Sequence, residues 1–150
     1  MARILIVDDE PSLRLMTSMV LQAEGHDTEE AGNGREALEL VENEIPDVIL
    51  LDLMMPEMDG WRFLEELRVR DLRRRTRVVI ISALSDDETV QRGRDEGARG
   101  HLVKPFDLTV LIDAVNAALE NPPEELLNKR ERVGELASLL RTLDVLEADE

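Results

Sequence analysis

Cysteine is absent from this chain of 150 residues, and so is any long apolar run. Without cysteine there is neither a disulfide framework nor a thiolate metal site, which is typical of proteins in a reducing cytoplasm. No run approaches eighteen consecutive apolar residues, and the first residues lack a charged region followed by a long apolar stretch. We therefore predict no membrane span and no signal peptide, and we expect a cytoplasmic protein.

Positive charge and aromatic residues are also scarce. Lys and Arg number 18 against 34 Asp and Glu, for a formal net charge of -16, and aromatic residues make up 2%. A field of this sign opposes binding to the nucleic acid backbone, so no nucleic acid partner is expected. Five arginines crowd residues 70–77 without interleaved aromatics. We predict a solvated loop there, with contact to an acidic partner as the alternative.

Four short apolar runs each end on polar residues. They are residues 4–7 before Asp8 and Asp9, residues 48–51 before Asp52, residues 78–81 before Ser82, and residues 101–103 before Lys104. Such runs, spaced by helix-like segments, predict buried strands of a parallel sheet. Ligands of open α/β sheets bind at the carboxyl ends of the strands. We therefore expect these polar residues to meet in one pocket that suits a divalent cation and a phosphoryl group.

Strand and helix patterns alternate with short connections, which is typical of βαβ units. A weaker strand near residues 26–31 carries several acidic residues, and we place it at a sheet edge with its charges facing water. Pro11, Asp86 and Asp107 are predicted helix starts. Right-handed crossovers then favour a flavodoxin-like (βα)5 doubly wound parallel sheet in the order 2-1-3-4-5.

The pattern changes at Asn121, where two prolines follow. We divide the chain into a domain of residues 1–120 and a C-terminal helical extension of residues 121–150. The extension is too short for a helix-turn-helix or winged-helix domain, so no DNA-binding output is expected. It could form a short coiled coil in a homodimer, pack back on the domain or dock a partner, and we favour the first and last. Its leucine-rich positions follow a seven-residue repeat: Leu126, Val133 and Leu140, with Leu136 and Leu143.

In order, spacing and strand-end position together, these residues resemble the receiver domain of two-component response regulators. The resemblance covers roughly residues 2–120, and its motifs are Asp8-Asp9, Asp52 with Met55-Pro56 and Asp59-Gly60, Ser82-Ala83, and Lys104-Pro105-Phe106. It implies a phosphoacceptor fed by a histidine kinase or a histidine phosphotransfer protein in a two-component system or phosphorelay. Such a protein is not an enzyme, since it assists only its own phosphorylation and its own slow dephosphorylation.

The resemblance also implies roles for the site residues. Asp52 is expected to accept the phosphoryl group from a phosphohistidine or a small phosphodonor. Lys104 would pair with one phosphoryl oxygen, and Ser82 would hydrogen-bond another. Clustered carboxylates resist ionisation unless a cation shares their site, and Mg²⁺ suits oxygen ligands. The Mg²⁺ ligands implied by the resemblance are Asp9, Asp52, the backbone carbonyl of Met54 and, largely through water, Asp8.

A conformational switch is implied as well. Ser82 would move toward the phosphoryl group, and the ring three residues before the lysine would follow it inward. That ring is His101 here, where the family more often carries Tyr or Phe. The movement would remodel the face of the fourth helix, fifth strand and fifth helix, to which a downstream protein target binds. The bond before Pro105 resembles one that is cis in this family and aims the Lys104 ammonium into the pocket.

Two positions bear on the lifetime of the phosphorylated form. Met54 lies two residues after Asp52, and Leu84 lies two residues after Ser82. In receivers these positions flank the phosphoryl group and govern the access of water. Both side chains here are apolar and neither can orient a water molecule. We therefore expect slow self-dephosphorylation.

Two other functions compete with this interpretation. A receiver-like scaffold that works without phosphate usually loses the acidic pair or the lysine, and both are present here. A Mg²⁺-dependent phosphohydrolase of the haloacid dehalogenase type carries its nucleophile in Asp-x-Asp after the first strand. The first predicted strand instead ends in Asp8-Asp9-Glu10, and no cap insertion is present to hold a substrate.

Overall fold

The computed structural model describes residues 1–126, 136, 137 and 139–141. Its five strands form one parallel sheet in the order β2-β1-β3-β4-β5, which confirms the predicted flavodoxin-like fold. No helix among these residues is long and apolar enough to cross a membrane. The elements are β1 (Arg3–Val7), α1 (Pro11–Ala23), β2 (Asp27–Ala31), α2 (Gly34–Asn43), β3 (Val48–Asp52), α3 (Gly60–Val69), a 3₁₀ turn (Arg73–Arg75), β4 (Arg77–Ser82), α4 (Asp87–Asp95), β5 (Gly100–Val103) and α5 (Leu108–Leu119).

Helices cover both faces of the sheet, so the central strands are buried on both sides. Alternate side chains of a strand point to opposite faces. In β1, Leu5 belongs to the core shared with α2 and α3, whereas Ile4 belongs to the core shared with α1 and α5. This two-sided burial explains why β1, β3 and β4 are continuous apolar runs rather than alternating ones.

The predicted edge strand and helix starts are found where expected. β2 lies at the edge of the sheet. Pro11 is the first residue of α1. Asp86 accepts a hydrogen bond from the backbone N–H of Thr89 at 3.1 Å, and Asp107 accepts one from that of Thr109 at 2.8 Å. These side chains satisfy backbone donors that have no partner inside the helix.

The arginine-rich segment differs from its prediction. A solvated loop is wrong for Arg73, which is only 7% exposed. The chain between α3 and β4 winds into a 3₁₀ turn that carries this side chain to the C-terminal end of α4. There its guanidinium donates to the backbone carbonyl of Glu96 at 2.8 Å. The last carbonyls of a helix lack partners within the helix, and a buried arginine supplies one.

The C-terminal extension is described in part. Val133 and Leu143 of the seven-residue repeat lie outside the described residues, whereas Leu126, Leu136 and Leu140 are exposed. Burial of these three leucines against the domain is therefore not supported. A homodimer through the extension and the division of the chain at residue 120 stay predictions.

Candidate functional site

Three carboxylates meet at the carboxyl ends of β1 and β3. Asp8 and Asp9 directly follow β1, Asp52 is the last residue of β3, and the two strands pair side by side. One carboxylate oxygen from each residue lies within 4.8 Å of the other two. Asp8 and Asp52 are 5% and 4% exposed, whereas Asp9 faces solvent. Two of the three carboxylates are therefore buried, and the cluster is open to solvent on the side of Asp9.

Lys104 joins this cluster from the end of β5. Its Nζ donates to Oδ2 of Asp8 at 2.7 Å and to Oδ2 of Asp52 at 3.2 Å. Its backbone N–H donates to the carbonyl of Ser82 at 2.9 Å, which ties the lysine to the end of β4. The peptide bond between Lys104 and Pro105 is cis. One ammonium is thus shared by the two buried carboxylates.

The charges in the cluster are incompletely balanced. Burial raises the pKa of Asp52 above its ordinary value, and the charge of Asp8 adds to this, although the Met54 N–H and Lys104 oppose them. Burial acts to lower the pKa of Lys104, but its hydrogen bond to Asp8 and the charges of Asp52 and Asp8 outweigh burial and raise it. The lysine therefore stays protonated. A single ammonium facing three carboxylates leaves room for a further cation.

The donor set fits a hard divalent cation. The three clustered groups are all carboxylates, the ligands that Mg²⁺ and Ca²⁺ prefer, and neither imidazole nor thiolate takes part. The backbone N–H of Met54 donates to Oδ1 of Asp52 at 3.2 Å, so the chain after β3 turns back over the carboxylate. The cluster can hold a metal ion at its open side, next to Asp9.

The structure connects the two predicted switch residues, Ser82 and His101, through one peptide. Ser82 ends β4, is fully buried, and its Oγ accepts a hydrogen bond from the backbone N–H of Leu84 at 3.0 Å. Nε2 of His101 lies 2.9 Å from the carbonyl oxygen of the same Leu84. The other ring nitrogen is buried and has no partner among the described residues. Hydroxyl and imidazole are therefore linked through the backbone of the β4–α4 loop.

An open cavity of about 520 Å³ lies beside Asp9. Met54 and Leu84 line it and remain 59% and 38% exposed, so apolar side chains form its walls. Trp61 borders the same cavity, and the guanidinium of Arg92 lies 4.2 Å from the centre of its ring. The approach to the carboxylates from this side is apolar.

Two further residues shape the site, and sequence reasoning did not identify either role. Arg14 donates from a guanidinium nitrogen to the backbone carbonyl of Asp8 at 2.6 Å and so fixes the turn after β1. Nothing in its local sequence marks it. At Gly60, a Cβ atom would lie 2.6 Å from the carbonyl oxygen of Asp52, so only glycine lets α3 begin this close to β3. The Asp59-Gly60 pair was one motif of the family resemblance, but that resemblance did not predict this close approach.

Known proteins share this arrangement. The chain matches the response regulator receiver domain family over residues 4–116. Sporulation initiation phosphotransferase F of Bacillus subtilis is 39% identical over 117 residues, which are 78% of this chain and 93% of that protein. The regulatory protein AtoC of Escherichia coli is 43% identical over 118 residues, 79% of this chain but 25% of that protein. The chain thus spans nearly all of one relative and a quarter of another.

The fold comparison gives the same result. The chemotaxis protein CheY4 of Vibrio cholerae superposes with a TM-score of 0.74 at 37% identity, covering 79% of this chain and 99% of that one. A Francisella receiver domain superposes with the same TM-score at 34% identity, covering 80% of this chain and 98% of its own. From its matched residues, strand order and acidic pocket, this chain belongs to the response regulator receiver domain family, the phosphoacceptor class of two-component signalling.

Proposed function

We propose that Asp52 accepts a phosphoryl group from a phosphohistidine with Mg²⁺ bound beside it, and that this controls a protein-interaction face. One observation carries the proposal. Lys104 donates at 2.7 and 3.2 Å to the two buried carboxylates of an acidic cluster. A cation shared in this way is ready to pair with a phosphoryl oxygen as soon as one enters.

Phosphoryl transfer requires little from the protein beyond position and charge. An oxygen of Asp52 attacks phosphorus as the bond from phosphorus to the donor nitrogen breaks, and that electron pair stays with the donor imidazole. The product is an acyl phosphate on Asp52. Mg²⁺ held by Asp9, Asp52 and the Met54 carbonyl, with Asp8 acting through water, would supply charge neutralisation. Lys104 moves from the carboxylates to the new phosphoryl oxygens.

Phosphorylation would change the protein-interaction face through the Leu84 peptide, which contacts both Ser82 and His101. When Ser82 turns toward the phosphoryl group, its Oγ gives up the hydrogen bond from Leu84. The β4–α4 loop then loses one of its anchors, and His101, which contacts the same peptide, moves with it. These residues border α4 and β5, so the face of α4, β5 and α5 changes shape. The affinity of a downstream protein for this face would change as a result.

The partners are proteins and the compartment is the cytoplasm. Beside Lys104 lies a cavity of about 290 Å³ whose apolar walls include Leu13, Met16 and Phe106. A helix of a histidine kinase or a histidine phosphotransfer protein could rest there and reach Asp52.

The net charge of -16 opposes nucleic acid as a partner. The protein would act as a switch rather than as an enzyme with a separate substrate.

Intact mass after incubation with acetyl phosphate tests this function. We expect one phosphoryl adduct in the presence of Mg²⁺, none with EDTA, and none in Asp52→Asn. Asp9→Asn serves as the matched control, because it keeps the acceptor and removes an acidic group from the open side. Its adduct should form slowly and need more Mg²⁺.

The other outcomes separate the rival functions. An unmodified wild type that still binds Mg²⁺ would favour a receiver-like scaffold that works without phosphate. Rapid release of inorganic phosphate without a trapped adduct would favour a phosphohydrolase. The first result would reject transfer of a phosphoryl group from acetyl phosphate to Asp52, and the second would reject a phosphorylated state that lasts long enough to act as a switch.

A further inference from the structure

Five arginines gather at the amino ends of β4 and β5, at the end of the sheet opposite to Asp52. Arg77 begins β4, and Asp52 ends the neighbouring strand. A strand rises about 3.3 Å per residue, so roughly 17 Å separates the two ends of the six-residue β4. We name this group the basal arginine cluster: Arg73, Arg74, Arg75, Arg77 and Arg99.

Two members of the cluster bind the backbone where α5 ends. Nε of Arg77 donates to the carbonyl of Asn121 at 2.8 Å. The guanidinium of Arg99 donates to the same carbonyl at 2.5 Å, to that of Ala118 at 3.3 Å, and to that of Pro122. Ala118 lies in the last turn of α5, where carbonyls lack partners within the helix and carry the negative end of its dipole, and Asn121 and Pro122 follow directly after the helix. Two cations therefore hold the point where the chain leaves the domain.

The next two contacts are ion pairs in matching order. Nε of Arg74 lies 3.5 Å from a carboxylate oxygen of Glu124, and Nε of Arg75 lies 3.7 Å from one of Glu125. All four side chains are about half exposed. Single pairs of this kind contribute little, but successive arginines facing successive glutamates fix a register.

Arg73 connects these contacts to the body of the domain. It is buried, and it donates to the carbonyl of Glu96 at the end of α4. Burial lowers its pKa, whereas the charges of Glu124 and Glu96 act to raise it. Burial and the neighbouring charge of Arg77 likewise lower the pKa of Arg99. Crowded cations at this end of the sheet therefore favour a nearby acidic segment.

We propose that the basal arginine cluster is an intramolecular docking surface for the segment of residues 121–125. It would hold the start of the C-terminal extension at the base of the domain, away from the phosphoacceptor and its approach. The occupant is identified by its chemistry: free carbonyls after a helix end, two prolines that break the helix, and two adjacent carboxylates. This docking is independent of phosphorylation and does not rest on the role of Asp52.

A distance measurement in the full chain tests the proposal. The chain has no cysteine, so Val69→Cys and Leu126→Cys place two spin labels at chosen exposed sites, one on α3 and one just beyond the segment. We expect a narrow distance distribution at low salt. Arg74→Glu with Arg75→Glu, or Glu124→Arg with Glu125→Arg, should raise the undocked fraction about threefold to tenfold. Combining the four substitutions should restore the narrow distribution.

Matched controls separate docking from a general effect of charge. Arg35→Glu with Arg94→Glu changes the net charge by the same amount at two exposed positions on α2 and α4, and it should leave the distribution narrow. Salt should broaden the wild-type distribution, because exposed ion pairs are screened. The thermal midpoint of each variant shows whether the domain remains folded.

Three results would overturn the proposal. The distribution could stay unchanged in both charge reversals, or the combined variant could fail to restore it. In the third case, the short distance would disappear when labelled chain is diluted into unlabelled chain, which would make a second copy the occupant. Each of these outcomes leaves phosphorylation of Asp52 unaffected, so the two proposals fail separately.

Discussion

The two ends of the sheet carry charged groups of opposite sign. At the carboxyl ends, one ammonium faces three carboxylates, two of them buried. At the amino ends, buried and half-buried guanidinium groups find backbone carbonyls and glutamates within hydrogen-bond or ion-pair distance. The first end is short of positive charge, whereas the second carries five guanidinium groups, each of which reaches a backbone carbonyl or a glutamate.

This difference separates a reactive site from a structural one. A cluster that is short of positive charge can hold a cation and, under the proposed function, the phosphoryl group that follows, so its imbalance is useful for chemistry. A cluster whose guanidinium groups mostly meet acceptors gains less from a ligand and instead holds the chain in place, although Nε of Arg73 is buried without a partner among the described residues. The supply of partners for the charged groups, rather than charge density, therefore distinguishes the two ends of this domain.

The largest effect is expected from Lys104→Met, which removes the ammonium that the two buried carboxylates share. Asp8 and Asp52 would then lie together without a partner, and we expect a loss of about 3 kcal/mol in the free energy of unfolding. Added Mg²⁺ should recover part of this loss, because it neutralises the same carboxylates. Urea unfolding with EDTA or Mg²⁺ measures both effects. A loss below about 0.5 kcal/mol would show that the carboxylates did not need the ammonium.

At the opposite end, Arg73→Met should cost about 1–2 kcal/mol. The carbonyl of Glu96 loses a hydrogen bond to a charged group, worth about 1.5–3 kcal/mol, and removal of the buried charge, whose pKa burial lowers, offsets part of that loss. Glu124 remains solvated, so it adds little to the loss. Arg74→Met is the matched control, because its ion pair is half exposed and should be worth less than about 0.5 kcal/mol. Equal losses in the two variants would mean that burial of Arg73 does not matter.

The apolar side chains of Met54 and Leu84 are expected to control the lifetime of the phosphoryl adduct. Met54→Asn combined with Leu84→Glu places groups that can orient water on the cavity beside Asp9. We expect the half-life of the phosphoryl adduct to shorten about tenfold, since a positioned base assists hydrolysis. Val69→Asn with Val110→Glu makes similar changes at exposed sites elsewhere. If the adduct decays at the wild-type rate in the Met54 and Leu84 variant, the apolar walls do not control its lifetime.

The strand ends explain why the reactive site could be predicted from sequence. The apolar runs of β1, β3 and β4 are continuous because these strands are buried on both faces, whereas β5 is a short edge strand. In all four cases the parallel topology alone places the residue after the run. That rule puts Asp8, Asp52 and Lys104 together without any knowledge of side-chain contacts. The chain order then selects strand order, since right-handed crossovers leave few alternatives.

The base of the domain could not be predicted in the same way. Arg73 and Arg99 bond to backbone carbonyls, which every residue carries, so no pattern of side chains marks their partners. The role of Arg14 could not be predicted for the same reason, since it also donates to a backbone carbonyl. Local composition therefore indicated a solvated loop where tertiary contacts bury a guanidinium. Contacts between a side chain and distant backbone leave almost no signal in a single sequence.

The smallest effect is expected for the thermal midpoint of Asp52→Asn. Because its pKa is raised in the folded protein, folding favours the protonated carboxyl group. The ionised group therefore opposes folding above the raised pKa, and this penalty disappears as the pH falls below the ordinary value. In EDTA at pH 7, Asp52→Asn should raise the thermal midpoint by about 2 °C, since solvent at the open side screens much of the repulsion. At about pH 3 the two proteins should melt together, because Asp52 is then neutral in both states. A midpoint that falls at pH 7 would mean that Lys104 more than compensates the charge of Asp52, and the carboxyl end would then not be short of positive charge.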